Sequence, residues 1–131
     1  MYLLDTNICI HIINKRPEKV VQHIRTLNPH QIKLSAISLA ELEYGVSKSQ
    51  NREKNRNALV DFVSAFDILD FDDNDAEYYG VIRAGLEKKG EVIGPYDLQI
   101  AAQALSRDLI LVTNNAAEFE RVHGLKVENW T

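Results

Sequence analysis

Cysteine is almost absent from this chain: Cys9 is the only one in 131 residues. No internal disulfide can form, which excludes a disulfide-stapled scaffold and makes a reducing cytosol the expected setting. No apolar stretch approaches the ~20 residues that span a bilayer, and the N-terminus has no basic-then-apolar signal segment. Histidine is scarce and scattered. His11, His23, His30 and His123 form no HxxxH pair and no compact cluster with Cys9, which argues against a zinc site. No glycine-rich phosphate loop occurs, because Gly94-Pro95 reads as a turn. No nucleophile elbow surrounds a serine or cysteine, and Cys9 reads as a small core residue. Positive charge is not in excess either. A net charge of −4 excludes coating of nucleic acid by bulk electrostatics. It does not exclude a nuclease, because acids that hold metal ions make the formal charge misleading.

What is present suits one globular domain spanning residues 1–131, large enough to bury roughly two-thirds of its unfolded-chain surface. There is no internal repeat, low-complexity segment or linker. Tyr2-Leu3-Leu4 and residues 109–112 are short apolar runs of the kind buried on both faces of a parallel sheet. Residues 32–37 read as a further strand, Ile68-Leu69 as a brief one, and a last short strand is expected at Leu125-Lys126-Val127. Between them lie helical stripes: Leu59, Phe62, Val63 and Phe66; Ala76, Tyr79, Ile82 and Leu86; Leu98, Ala101, Ala102 and Leu105. Pro17 suits the first turn of a helix reaching about Leu27, which Asn28-Pro29 ends. Gly90 suits the stop of a helix starting near Asp73. Alternating strands and helices predict a three-layer α/β domain with a mainly parallel sheet of about five strands.

In such folds ligands sit outside the carboxyl ends of the strands. Asp5 ends the first strand, and Thr113-Asn114-Asn115 follows the strand at 109–112. Glu41 sits about one turn into the helix after the second strand. Asp97 sits in the first turn of the helix introduced by Gly94-Pro95-Tyr96. Each acid has an ordinary explanation alone: a cap for Asp5, a solvated helix face for Glu41, a dipole-favoured position for Asp97. Together they converge on one edge. Clustered carboxylates repel and push up at least one pKa unless a cation compensates. A hard, oxygen-seeking ion such as Mg²⁺ or Mn²⁺ fits, and phosphodiester hydrolysis by an activated water follows. Glu43 points about 200° away from Glu41 on a helix, so only one of them can face the site.

The charge pattern adds a second feature. Residues 46–57 form a hydrophilic island with Lys48, Arg52, Lys54 and Arg56, while residues 70–77 are strongly acidic. Solvated surface is the ordinary reading of both.

The segments Leu4-Asp5-Thr6-Asn7, Ser38-Leu39-Ala40-Glu41-Leu42 with Tyr44-Gly45, Ile93-Gly94-Pro95-Tyr96-Asp97, and Leu111-Val112-Thr113-Asn114-Asn115 with Glu118-Phe119 together resemble PIN-domain ribonucleases. The nearest likeness is to VapC toxins of bacterial VapBC toxin–antitoxin modules. That resemblance spans nearly the whole chain. It implies a five-stranded PIN fold, a Mg²⁺- or Mn²⁺-dependent endoribonuclease, a homodimer, and a cognate VapB-type antitoxin. It assigns Asp5, Glu41 and Asp97 to the family's acids, with Asp5 and Asp97 nearest the metal. It assigns Thr113 to a hydroxyl that orients Asp5, with Thr6 and Asn7 beside it. Asn115 departs from the pattern, since many family members carry a fourth acid there; Glu118 is the candidate substitute. Lys48-Ser49-Gln50, Glu118-Phe119-Glu120-Arg121-Val122 and the ending Glu128-Asn129-Trp130 are similar to a subgroup that cuts initiator tRNA in its anticodon stem-loop. The island at Lys48, Arg52, Lys54 and Arg56 then becomes a candidate RNA contact, with pairing to an acidic antitoxin tail as its alternative.

Two other α/β readings lack parts. A phosphoreceiver would need an acid pair after the first strand and a lysine after a late one. A phosphatase with an aspartyl nucleophile would need Asp where Asn7 stands. The alternative left is a catalytically weak PIN domain that only binds RNA or a partner.

Overall fold

The computed structural model describes residues 1–131. Strand β1 (Tyr2–Leu4) lies at the centre of a five-stranded sheet, between β2 (Ile32–Ser35) and β4 (Ile110–Val112). Strands β3 (Asp67–Leu69) and β5 (Val127–Glu128) form the edges, and the order is β3-β2-β1-β4-β5. Every pairing is parallel. Leu4 stands abreast of Leu34 and of Val112, so the three central strands end within a residue of one another. The next residues, Asp5, Ser35 and Thr113, therefore emerge in one row. The chain steps outward from β1 to β3 on one side and returns to build β4 and β5 on the other. The crossovers part between β1 and β4, leaving a crevice at the carboxyl edge where Asp5 and Thr113 sit.

Successive strand residues face opposite sides of the sheet, and the core divides accordingly. Leu3 and Leu111 pack with Ile82 and Leu86 of α5 (Asp73–Lys88) and Leu98 and Ala101 of α6 (Pro95–Ser106). Leu4, Leu34 and Val112 pack on the other face, against α1 (Thr6–Asn14), α2 (Glu18–Arg25), α3 (Ala36–Lys48) and α4 (Arg52–Val63). Trp130 closes that second cluster from the C-terminus, stacked on His23 at 4.3 Å between ring centres. Helix α6, which carries Asp97, is fixed by a polar tie through the core. The buried Ser35 hydroxyl donates to Gln103 Oε1, and Gln103 Nε2 donates to the carbonyls of Leu69 and Asp70 at 3.3 and 3.1 Å. Both buried polar groups are thereby satisfied, as burial requires.

Several boundaries differ from expectation. The second strand stops at Ser35 rather than 37, because Ser35 Oγ accepts the N–H of Ile37 at 3.0 Å and caps α3. The last strand lies at Val127–Glu128, a residue or two beyond the expected place. Pro17 occupies the position before α2 rather than its first turn, and that helix ends at Arg25. Asn28-Pro29 then opens a single 3-10 turn, Pro29–Gln31. Gly90 takes φ +69 just past α5, the left-handed stop expected of it. A short α7 (Ala116–Phe119) follows β4.

Candidate active site

Asp5 is only 4% exposed and carries two duties at once. Its Oδ1 accepts the N–H of Ile8 at 2.8 Å, capping α1. The Thr113 hydroxyl lies near its carboxylate and favours the charged form. Thr113 accepts the N–H of Asn115 at 3.0 Å, which leaves its own proton free to point at Asp5. Cap and site acid are thus the same residue. Burial pushes the Asp5 carboxyl above its ordinary range and nearby Glu41 adds to that, against the opposing hydrogen bonds from Thr113 and Ile8 and the charge of His11.

Asp97 sits at the third position of α6, behind Gly94-Pro95. Its carboxyl is pushed up to about 6, first by burial and then by the charges of Glu118, Asp5 and Glu41. A helix N-terminus by itself favours the ionised form. Here burial and three surrounding carboxylates outweigh it. Asp5, Glu41, Asp97 and Glu118 thus lie near enough for the charges of the other three to act on Asp97.

Glu41 is held toward this group by α1. Thr6 Oγ1 donates to Glu41 Oε1 at 2.9 Å and lies 3.0 Å from Ser38 Oγ. Glu43 points the other way and forms an ion pair with Arg56 of α4. That geometry separates the two glutamates. Asn115 and Glu118 are not rivals either: Asn115 Nδ2 donates to Glu118 Oε2 at 2.5 Å, so the amide steers the acid. Because Thr6 fixes the Glu41 carboxylate, Thr6→Val is expected to slow RNA cleavage roughly ten- to a hundredfold with the fold intact. The check is the single-turnover rate beside a thermal melt; an unchanged rate would remove Thr6 from the machinery.

No three of these side chains close around a common point tightly enough to cage an ion by themselves. An open set suits Mg²⁺ or Mn²⁺, since Mg²⁺ takes one or two carboxylates directly and keeps several waters. The donors are all oxygens, and after burial it is their surplus negative charge that drives Asp97 upward. Cys9 is no competitor, being fully buried with its thiol pushed up by desolvation.

His11 was not singled out by the sequence, yet α1 brings it to the rim. Its Nε2 is 3.5 Å from Asn114 Nδ2, and its charge acts on Asp5. Ser38 likewise joins through Thr6. The available signal was Asp5 as a cap: a helix begun at Thr6 carries His11 on its second turn.

Residues 2–125 match the family model described as the PIN domain. The chain belongs to the PIN-domain family. Within that family it is similar over its whole length to VapC proteins. "Ribonuclease VapC2" of Rickettsia felis is 46% identical over 131 residues, covering 99% of this chain and 98% of that protein. "tRNA(fMet)-specific endonuclease VapC" of Shigella flexneri is 46% identical over 130 residues, with the same shares covered. Among solved structures, VapBC2 from Rickettsia felis bound to a promoter DNA fragment superposes with a TM-score of 0.93 at 45% identity, covering 99% of this chain and 98% of that one. The five-stranded parallel sheet is thus that of a VapC-type PIN domain.

In this PIN domain the basic island is not uniform. Arg56 forms an ion pair with Glu43 that links α3 and α4. Arg52 and Lys54 are exposed in the first turn of α4. Lys48 ends α3 beside the acids, lining the same cleft as Thr6, Asn7 and Glu41.

Proposed function

We propose that this VapC-type PIN domain is a divalent-metal-dependent endoribonuclease, the toxin of a type II toxin–antitoxin pair. The observation that carries the reading is the meeting of Asp5, Glu41, Asp97 and Glu118 at the sheet's switch point, with Asp97 raised first by burial and then by the charges of the other three. Asp5 and Asp97 would hold Mg²⁺, or Mn²⁺ in its place. When bound, the ion supplies Lewis-acid stabilisation of charge on the phosphoryl and leaving oxygens. Thr113 holds Asp5 in one rotamer. Glu41, fixed by Thr6, accepts a proton from the attacking water. Glu118, steered by Asn115, adds negative charge on the Asp97 side.

Initiator tRNA, cut in its anticodon stem-loop, is the proposed substrate. Supporting it are the proteins named tRNA(fMet)-specific endonuclease VapC from Shigella flexneri and Salmonella typhimurium, 46% and 43% identical to this chain. Unpaired loop bases are what base-reading proteins reach in RNA. A VapB-type antitoxin is the proposed partner, supported by VapBC complexes from Rickettsia felis and Salmonella typhimurium with TM-scores of 0.93 and 0.94. A homodimer and a cytoplasmic setting complete the reading; no helix is long and apolar enough to cross a membrane.

The test is chelation. EDTA is expected to stop cleavage of an anticodon stem-loop RNA, and Mg²⁺ or Mn²⁺ to restore it. Cleavage that persists after dialysis against chelator would overturn the metal dependence. Sequencing of RNA ends after brief expression in cells addresses the target: one dominant cut in the initiator tRNA supports it, and scattered cuts in messages remove it.

A further inference from the structure

Beside the acids opens a cleft of about 680 Å³, within the roughly 300–1,000 Å³ typical of ligand sites. Thr6 and Glu41 belong to its lining, so it is continuous with the acid group. The rest of its character is different. Tyr44 and Lys48 of α3 and Tyr96 of α6 also line it. Tyr44 is 65% exposed and Tyr96 58%, large aromatic faces with little packing to explain them. Each is tied to an acid through its helix: Tyr44 lies three residues after Glu41, and Tyr96 immediately precedes Asp97. The Lys48 ammonium stands 4.9 Å from the centre of the Tyr44 ring.

Gly45 points the same way. In a helix interior, glycine costs about 1 kcal/mol relative to alanine. A Cβ at Gly45 would meet nothing within 4 Å, so no packing contact demands glycine there. Gly45 does line the cleft, and the missing side chain leaves its wall open beside Tyr44.

We infer that this cleft is a nucleotide subsite, in which an unpaired RNA base adjoining the scissile phosphate stacks on Tyr44 and Tyr96 while Lys48 meets the neighbouring phosphate. The subsite presupposes the ribonuclease activity proposed above. A protein segment would match the apolar lining alone. Exposed aromatic faces beside a cation, continuous with a phosphodiester-cleaving group, match the alternation of base and phosphate in a single strand.

The experiment measures binding of a short single-stranded RNA carrying 2-aminopurine, in EDTA so that nothing is cut. Tyr44→Ala is expected to weaken the Kd about tenfold to a hundredfold, the scale of losing one base–aromatic stack. It should also relieve the quenching of 2-aminopurine. Tyr44→Phe and Tyr44→Trp should keep both signals, and Tyr96→Ala should show a smaller loss of the same kind. Unchanged affinity and quenching in Tyr44→Ala and Tyr96→Ala would overturn the subsite. So would unchanged RNA binding with weakened capture of the antitoxin, which would make this a protein-binding face. Asp5→Asn, assayed for cleavage in Mg²⁺ alongside the parent protein, separates the two levels. If the parent protein does not cut in Mg²⁺, the ribonuclease assignment fails; if the parent cuts, Asp5→Asn does not, and the tyrosine variants bind normally, only the subsite fails.

Discussion

Asp5→Asn is expected to slow RNA cleavage by roughly a hundred- to a thousandfold, the scale of losing one electrostatic group at a reacting centre, while melting no lower than the parent protein. Asparagine keeps the shape of the side chain, and its Oδ1 still accepts the Ile8 N–H that caps α1. What it removes is a negative charge that burial already disfavours in the metal-free protein. The fold therefore loses little, and a cation held as proposed would lose one of its two nearest ligands. The single-turnover rate in Mg²⁺ and a thermal melt read the two effects separately. Cleavage at the parent rate would sink the acid mechanism. A large drop in melting temperature would show that the cap, rather than the chemistry, had been lost. Glu43→Gln is the control, because Glu43 faces Arg56 on α4 and should leave the rate nearly unchanged. An inactive Glu43→Gln beside an active Glu41→Gln would exchange their roles.

The three main acids were legible in the sequence because parallel topology does the assembling. Once residues 2–4 and 109–112 are strands of one parallel sheet, everything at their carboxyl ends shares an edge. Asp5, Glu41 and Asp97 needed only their positions relative to strands and helix starts. Helix α1 was not legible in the same way. Its sequence, Thr-Asn-Ile-Cys-Ile-His-Ile-Ile-Asn, is rich in β-branched residues that suit strands as well. Only the Asp5 cap argues for a helix, and the cap alone does not say that a helix runs on far enough to carry His11. Side-chain pairings between helices lay beyond reach for a different reason. Glu41 and Glu43 are equivalent by spacing, and the choice depends on Thr6 of α1 and Arg56 of α4, both remote in sequence. The same holds for Arg56, which a charge run presents as open and helix packing neutralises. Asn115 looked like a lost acid. The local turn instead makes it a donor to Glu118, a contact that depends on the entry angle of a four-residue helix.

Asp97→Asn is expected to abolish cleavage to a similar degree and yet to make the metal-free protein more stable above pH 6. The sign follows from the direction of the shift. The folded chain holds the Asp97 proton up to about pH 6, whereas an unfolded aspartate releases it near 3.8. The folded state therefore binds that proton more tightly. Stability from this group is full below about pH 4, declines as pH rises toward 6, and is lost above it. A shift of this size would be worth about 3 kcal/mol at a fully buried site. Asp97 is half-buried, and solvent screening lowers the expected effect to about 1 kcal/mol, roughly 3–5 °C in melting temperature for a chain of this size. Subtracting the melting curve of Asp97→Asn from that of the parent, in EDTA between pH 4 and 7, isolates this group from other carboxylates. The difference should grow with pH in favour of the variant. Adding Mg²⁺ at pH 7 should stabilise the parent by mass action and leave the variant nearly unmoved. A difference that stays flat from pH 4 to 7, or an equal Mg²⁺ response in both proteins, would mean that Asp97 neither feels its neighbours' charge nor holds the ion. Burial and repulsion together weaken the empty protein, and the repulsive part is the electrostatic energy that a divalent cation would release on binding.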